Sequence, residues 1–255
     1  MKILILSALP REYLPLKRLF PAFRVVRSAP YGKFSLDLPG KEIILVETGM
    51  GPGAVEKVAR EELKAQAPDL MLFSGFAGGL HPDLSIGSVC VVTSTRHVEA
   101  EKRVIFHFSE EMVRFLYKNQ VKPVLALTAK APENKRRLWA LVRGEPAVLD
   151  METAWVAEAA RSREIPFICF RAISDPVDRE LGFDLQDICD ENWEVRPLRV
   201  LKTVVKRPPT MWAFYRLWRG SSLAAKNLCL FVASFLELPS EEFGRMAAEI
   251  KLERK

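Results

Sequence analysis

An α/β domain, with helices laid on the faces of a sheet, is the fold class this sequence predicts. Three observations carry it. Short apolar runs of strand length alternate with helix-period segments from residue 2 to about residue 175. The chain has 255 residues, the upper range of one α/β domain and enough for a sizeable core. Apolar residues make up 49% and charged residues 27%, which excludes a mainly disordered or fibrous chain. Residues 1–255 read as one domain, with a basic helical extension from about 190 to 255.

The elements follow in order. Lys2–Ser7 is an apolar run that stops at Ala8-Leu9-Pro10, a buried strand and then a loop. Residues 33–38 and 42–48 flank Pro39-Gly40, a hairpin pattern. Gly49-Met50-Gly51-Pro52-Gly53 opens a helix with Val55, Val58, Ala59 and Leu63 on one face, stopped by Pro68-Asp69. Residues 70–74 form a strand ending in the loop Gly75-Phe76-Ala77-Gly78-Gly79, and 87–95 form another strand. Then come helix 110–118, strand 124–128, helix 133–142 and the short strand 147–149, which runs into Asp150-Met151-Glu152. Helix 153–163 leads to strand 167–173 and Ser174-Asp175-Pro176. Beyond Asp190 two helices, 196–206 and 211–235, are parted by Arg207-Pro208-Pro209, and a last one starts at Ser240 with Glu241 and Glu242 in its first turn.

The net charge is +6, but it is not spread evenly. Residues 195–226 hold eight basic side chains (Arg196, Arg199, Lys202, Lys206, Arg207, Arg216, Arg219, Lys226) and no acid, which leaves the rest at −2. Four scattered cysteines, Cys90, Cys169, Cys189 and Cys229, with no CxxC spacing suggest a reduced, cytoplasmic chain. His81, His97 and His107 show no metal-ligand spacing, so no metal is expected. The apolar run 3–6 is too short for a signal peptide, and 228–236 is too short to span a membrane, which takes about 20 residues.

Polar residues at the carboxyl ends of buried strands are where an α/β site is expected. Four ends qualify: Arg11-Glu12, the glycine loop, Asp150-Met151-Glu152 and Ser174-Asp175. Each has a plain structural alternative. The glycines suit a packed turn as well as close approach to a sugar or phosphate. The acids at 150 and 152 suit a helix N-terminus, Asp175 before proline a turn, and Glu12 a solvated loop. Neither GxGxxG followed by a helix nor GxxxxGK[ST] is present, which argues against NAD and nucleoside triphosphates.

Taken in order, these segments carry a resemblance: Ser7-Ala8-Leu9-Pro10-Arg11-Glu12, Glu47-Thr48-Gly49-Met50-Gly51-Pro52-Gly53, Ser74-Gly75-Phe76-Ala77-Gly78-Gly79-Leu80, Asp150-Met151-Glu152 and Arg171-Ala172-Ile173-Ser174-Asp175-Pro176-Val177-Asp178. The chain resembles the nucleoside phosphorylase/nucleosidase superfamily, which includes purine nucleoside phosphorylases and methylthioadenosine/S-adenosylhomocysteine nucleosidase. The match covers about residues 1–178. It implies a three-layer αβα sandwich around a mixed, partly closed sheet. It makes Asp175 the acid that protonates the leaving purine near N7, Glu152 the ribose-binding glutamate and Glu12 the acid that activates water. Met151 would pack under the sugar. Ser74, Gly75, Phe76, Ala77 and Gly78 would border the sugar or phosphate site. Arg171 and Ser174 would orient the acid and its loop. Two departures stand out: Phe76 where the nucleosidases carry Ser, and Asp150 in place of the more usual Glu. Thr128 to Glu133 and Leu149 are candidates for the adenine side.

Asp-Met-Glu, Arg-Ala-Ile-Ser-Asp-Pro-x-Asp and the tail from Arg196-Pro197-Leu198-Arg199 are most similar to the hopanoid-associated phosphorylases. That branch implies removal of adenine from adenosylhopane, a lipid-linked nucleoside, with no cofactor and with inorganic phosphate as an optional co-substrate. The alternatives are a methylthioadenosine/S-adenosylhomocysteine or futalosine nucleosidase, a purine nucleoside phosphorylase on a soluble substrate, or an idle member that only binds. The family also implies a homo-oligomer, a dimer first. Trp212, Phe214, Tyr215, Leu217 and Trp218 among Arg216 and Arg219 suit peripheral membrane contact through 195–236, on the inner face. They equally suit helices packed on the core or on a second subunit. No nucleic-acid partner is expected, since these aromatics look too apolar and helical for a stacking platform.

Overall fold

The computed structural model describes residues 1–29, 31–131, 133–142, 144–178, 187, 188, 190 and 197–254, without the side chains of 197 and 201. Cys189, Arg196 and the start of the helix read at 196 lie outside the described residues.

A mixed sheet is the middle layer. β1 (Lys2–Ser7) runs parallel to β4 (Lys41–Glu47) on one side and β5 (Leu70–Gly79) on the other. Ile3, Leu4, Ile5 and Leu6 are all fully buried, as an unbroken apolar run should be in a strand covered on both faces. β3 (Lys33–Leu38) pairs antiparallel with β4 across Pro39-Gly40, and β2 (Arg24–Arg27) completes that edge. On the other side the sheet curls shut. β5 pairs with β10 (Phe167–Asp175) and β9 (Ala147–Asp150). β10 pairs with β6 (Val89–His97), β6 with β8 (Lys122–Thr128), and β8 returns to β9. These five strands form a closed ring. β7 (Val104–His107) and β11 (Lys251–Arg254) extend it outward from β6.

Helices cover both faces. On one, α1 (Pro10–Leu19), α3 (Glu110–Lys118), α7 (Thr210–Leu236) and α8 (Ser240–Ala248) set Leu16, Leu116, Phe235 and Phe243 against Ile5, Leu72 and Phe170. On the other, α2 (Pro52–Gln66) and α5 (Thr153–Arg161) set Val58, Leu63 and Val156 against Leu4, Phe73 and Val92. α4 (Lys135–Leu141) brings Leu138 to Leu125 and Leu127, and α6 (Pro197–Lys206) precedes α7. The architecture is the three-layer α/β sandwich with a mixed, partly closed sheet and extra C-terminal helices.

Three local expectations change. The loop expected after Leu9 is a helix, because Pro10 stands at its first turn, where the missing N–H is no loss. Tyr13 and Leu16 supply its buried face. The glycine segment is not a loop but the second half of β5, paired to β10 and then to β9, so its backbone groups are satisfied in the ring. Strands β2, β7 and β11, unread in the sequence, have four residues each; β2 and β11 are the two edges and β7 lies just inside β11.

No single described helix is long and apolar enough to cross a membrane. The apolar second half of α7 is explained by burial instead: Leu228, Val232, Phe235 and Leu236 sit in the core.

Candidate active site

The first turn of α1, the β4–α2 connection and the carboxyl ends of β5, β9 and β10 meet at a cavity of about 280 Å³. Glu12, Phe76, Met151, Glu152, Asp175 and Lys135 are among its lining. Ala77, Gly78 and Ser174 also line it, while Ser74, Gly75 and Arg171 stand behind that lining. A larger groove of about 810 Å³ runs alongside, past Ile86, Trp139 and Val177, but Asp178 is its one acid among the described residues.

Glu12 is buried and fully engaged. Its Oε2 accepts from the N–H of Ala8 and Leu9 (2.8 and 2.9 Å), and its Oε1 from the N–H of Phe76 (2.8 Å). Burial nevertheless pushes its pKa above the ordinary value; these bonds and the nearby Arg171 guanidinium only offset part of that. It is not a solvated loop residue. The Phe76 side chain lies where a hydroxyl was expected, but the Phe76 backbone holds the acid in place.

Arg171 has no exposed surface. It pairs with Asp150 (Nη2 to Oδ2, 2.8 Å) and donates to Thr153 Oγ1 from Nε (3.1 Å) and Nη2 (2.8 Å). The Phe73 ring lies 4.2 Å below it. Its Nη1 has no hydrogen-bond partner among the described residues. Gly75 makes room for this: a Cβ there would collide with Nη1 and stand 2.8 Å from Glu12 Oε1. The expectation that Arg171 orients Asp175 is corrected. The guanidinium is held at Asp150, whose buried charge it neutralises.

Asp150 is the hub of the next shell. It accepts from Thr128 Oγ1 (2.8 Å), from the N–H of Glu152 and Thr153 (3.3 and 3.2 Å), and from Thr153 Oγ1. Asp150 also serves the helix start, since its Oδ1 accepts the N–H of Thr153, the first residue of α5, whose N-cap is Glu152. Glu152 is 7% exposed and accepts from the N–H of Gly51 (3.1 Å) and Met151 (3.3 Å). Burial first, and then the neighbouring Asp150 charge, push its pKa up to about 7.

Asp175 ends β10 at the cavity wall. Ser174 Oγ donates to its Oδ1 and Lys135 Nζ to its Oδ2, both at 2.6 Å. Lys135 also donates to Pro176 O (2.6 Å). Sequence reasoning missed Lys135, because a lone lysine at the start of a helix has no motif. Ala129, Ala131, Glu133 and Leu149 line the cavity with Asp175, and Leu9, Met50 and Leu217 add apolar surface. Arg11 is elsewhere: its Nη2 donates to Trp218 O (3.3 Å) and Ser222 Oγ (3.2 Å). Among the described residues no group of three His, Cys, Asp or Glu side chains could hold a metal ion.

Carboxylates thus gather on one cavity, at strand ends and at the first turn of α1, in a closed-ring α/β sandwich. The phosphorylase superfamily model matches residues 2–206, and the chain belongs to that superfamily. It is an enzyme of the nucleosidase/phosphorylase class. A 5'-methylthioadenosine/S-adenosylhomocysteine nucleosidase of Glaesserella parasuis is 26% identical over 167 residues, 56% of this chain and 73% of that protein. A mutant methylthioadenosine nucleosidase of Helicobacter pylori, solved with 5'-methylthioadenosine in its active site, superposes with a TM-score of 0.68 at 18% identity, covering 92% of this chain and 98% of that one. A futalosine hydrolase mutant from the same organism gives 0.69 at 19%, covering 93% and 99%.

Proposed function

We propose that this chain hydrolyses the N-glycosidic bond of an adenosyl nucleoside and releases adenine. The observation that carries the reading is that Glu12, from the first turn of α1, and Asp175, from the end of β10, line one small cavity. In this reading Asp175 gives a proton to the purine at N7 and is resupplied from the Lys135 ammonium at its Oδ2, so the base departs neutral. Glu152 accepts from the ribose hydroxyls, and its charge favours the cationic sugar of the transition state. The attacking water is held in the cavity beside Glu12, the acid of α1 that lines it. Glu12, its pKa raised by burial, takes a proton from that water as its oxygen bonds to C1′. Adenine and a free sugar are the products.

Water is favoured over inorganic phosphate by the fate of the cations. Phosphate asks for several convergent donors. Arg171 is bound to Asp150, Lys135 to Asp175, and Arg11 to α7. No cofactor enters the reading.

The finer proposal is a lipid-linked substrate, adenosylhopane, on the way to ribosylhopane. It rests on the similarity of the motifs at 150–152 and 171–178. A cavity of about 280 Å³ is near the low end for small-molecule sites, the size of a nucleoside head. A large apolar tail would leave it past Leu9, Met50 and Leu217. The relatives support a second reading, a soluble adenosyl or futalosine substrate. A cytoplasmic homodimer is the proposed setting for either. Incubation of the purified chain with adenosylhopane and with methylthioadenosine separates them. Adenine release only from the lipid supports the finer reading, and ordinary turnover of methylthioadenosine overturns it.

A further inference from the structure

The outward surface of α6 and α7 combines two features that the catalytic reading leaves unused. One is aromatic. Trp212 is 62% exposed and Trp218 56%, with Tyr215 between them. Their rings form a ladder along the helix, with centroids 6.2 and 6.5 Å apart. Met211 and Leu223 extend it, and Leu198 and Val205 add exposed apolar surface on α6.

The other feature is cationic. Lys202, Lys206, Arg216, Arg219 and Lys226 are exposed on the same two helices, and Arg207 is exposed in the turn between them. No acidic residue interrupts 195–236. Arg219 sits over the Tyr215 ring, 5.9 Å from its centroid, and Arg11 of α1 lies 6.0 Å from that of Trp218. In a solvated helix face, charges of both signs would be interspersed. Here one sign is mixed with large amphipathic rings. That is the chemistry of a bilayer interface, where rings seat at the headgroups and cations meet acidic lipid.

We infer that the outward face of α6 and α7 docks on an anionic lipid bilayer. The charge decides between occupants: two copies of a uniformly cationic face repel each other, whereas acidic headgroups complement it. The face also adjoins the site. Leu217, which lines the cavity, lies between Arg216 and Trp218 on α7, so docking sets the cavity beside the membrane surface. The docking does not depend on the substrate, so it is tested without turnover.

The full chain is sedimented with phosphatidylglycerol–phosphatidylcholine vesicles and with pure phosphatidylcholine vesicles. Binding is expected to the first and to weaken as salt rises. Arg216→Glu/Arg219→Glu should bind at least about tenfold more weakly, and tryptophan emission should shift to the blue on binding in the parent chain only. Circular dichroism and the unfolding midpoint show that the variant is folded. Equal binding by parent and variant, or no vesicle binding, overturns the inference. So does a dimer that dissociates on Trp212→Ala/Tyr215→Ala, which would assign the face to a second copy. Tight nucleic-acid binding without vesicle binding would also overturn it.

Discussion

Glu152 should cost the fold stability, and replacing it by glutamine should reveal how much. The side chain is 7% exposed beside the buried Asp150, and its pKa stands at about 7 against an ordinary 4.5. A raised carboxylate pKa means that the folded state prefers the neutral form. Stability linked to this group is fully present below pH 4.5 and is lost as pH rises to about 7. At about 1.4 kcal/mol per pH unit, the loss approaches ~3 kcal/mol above pH 7. Glu152→Gln imitates the neutral form and keeps an oxygen for the Gly51 N–H. Urea unfolding of both proteins from pH 4 to pH 8 reads the difference. The two should match near pH 4, and the variant should gain progressively to about pH 7 while losing adenine release. A stability difference that does not change with pH would refute the reasoning. The gain in the variant would mean that the ionised carboxylate is retained for its chemistry, not for the fold.

Asp175→Asn should fold normally, because the side chain is partly exposed, and should lose about 10²–10⁴-fold in kcat for adenine release. Full activity would remove the acid role. The acid limb of kcat/KM should lie near pH 7 and not near pH 4.5, where Glu152, which acts ionised, loses its proton at about pH 7; the burial of Glu12 shifts its own ionisation in the same direction. Gly75→Ala should lose activity and about 1–3 kcal/mol of stability, because the added methyl collides with Arg171 and crowds Glu12. Arg171→Met should cost about 3–5 kcal/mol by stranding Asp150, read by thermal unfolding.

The sequence made much of this site legible because strand ends are where polar residues become conspicuous. Asp150, Glu152, Ser174 and Asp175 each follow an apolar run, and the alternation placed those runs in one sheet. What stayed hidden depended on partners far along the chain. Pro10 looks like a stop and is a helix start. The glycines of β5 look like a turn, and only the closing of β9 and β10 on either side makes them a strand. Lys135 carries no local pattern; its meaning comes from Asp175, 40 residues away. Arg171 was visible, but its choice of Asp150 over Asp175 is a matter of which way a fully buried side chain turns. The apolar half of α7 could equally have met a membrane or the core, and the packing of Phe235 and Leu236 against the sheet decides it.

Hydrolysis at a purine glycosidic bond is tested most directly by supplying an adenosyl nucleoside in ¹⁸O-labelled water, with and without inorganic phosphate, and following adenine and the sugar by mass spectrometry. The account predicts adenine and a free sugar carrying one ¹⁸O, at a rate that phosphate does not change. A sugar 1-phosphate formed only when phosphate is present, or no adenine from any adenosyl compound, would contradict it.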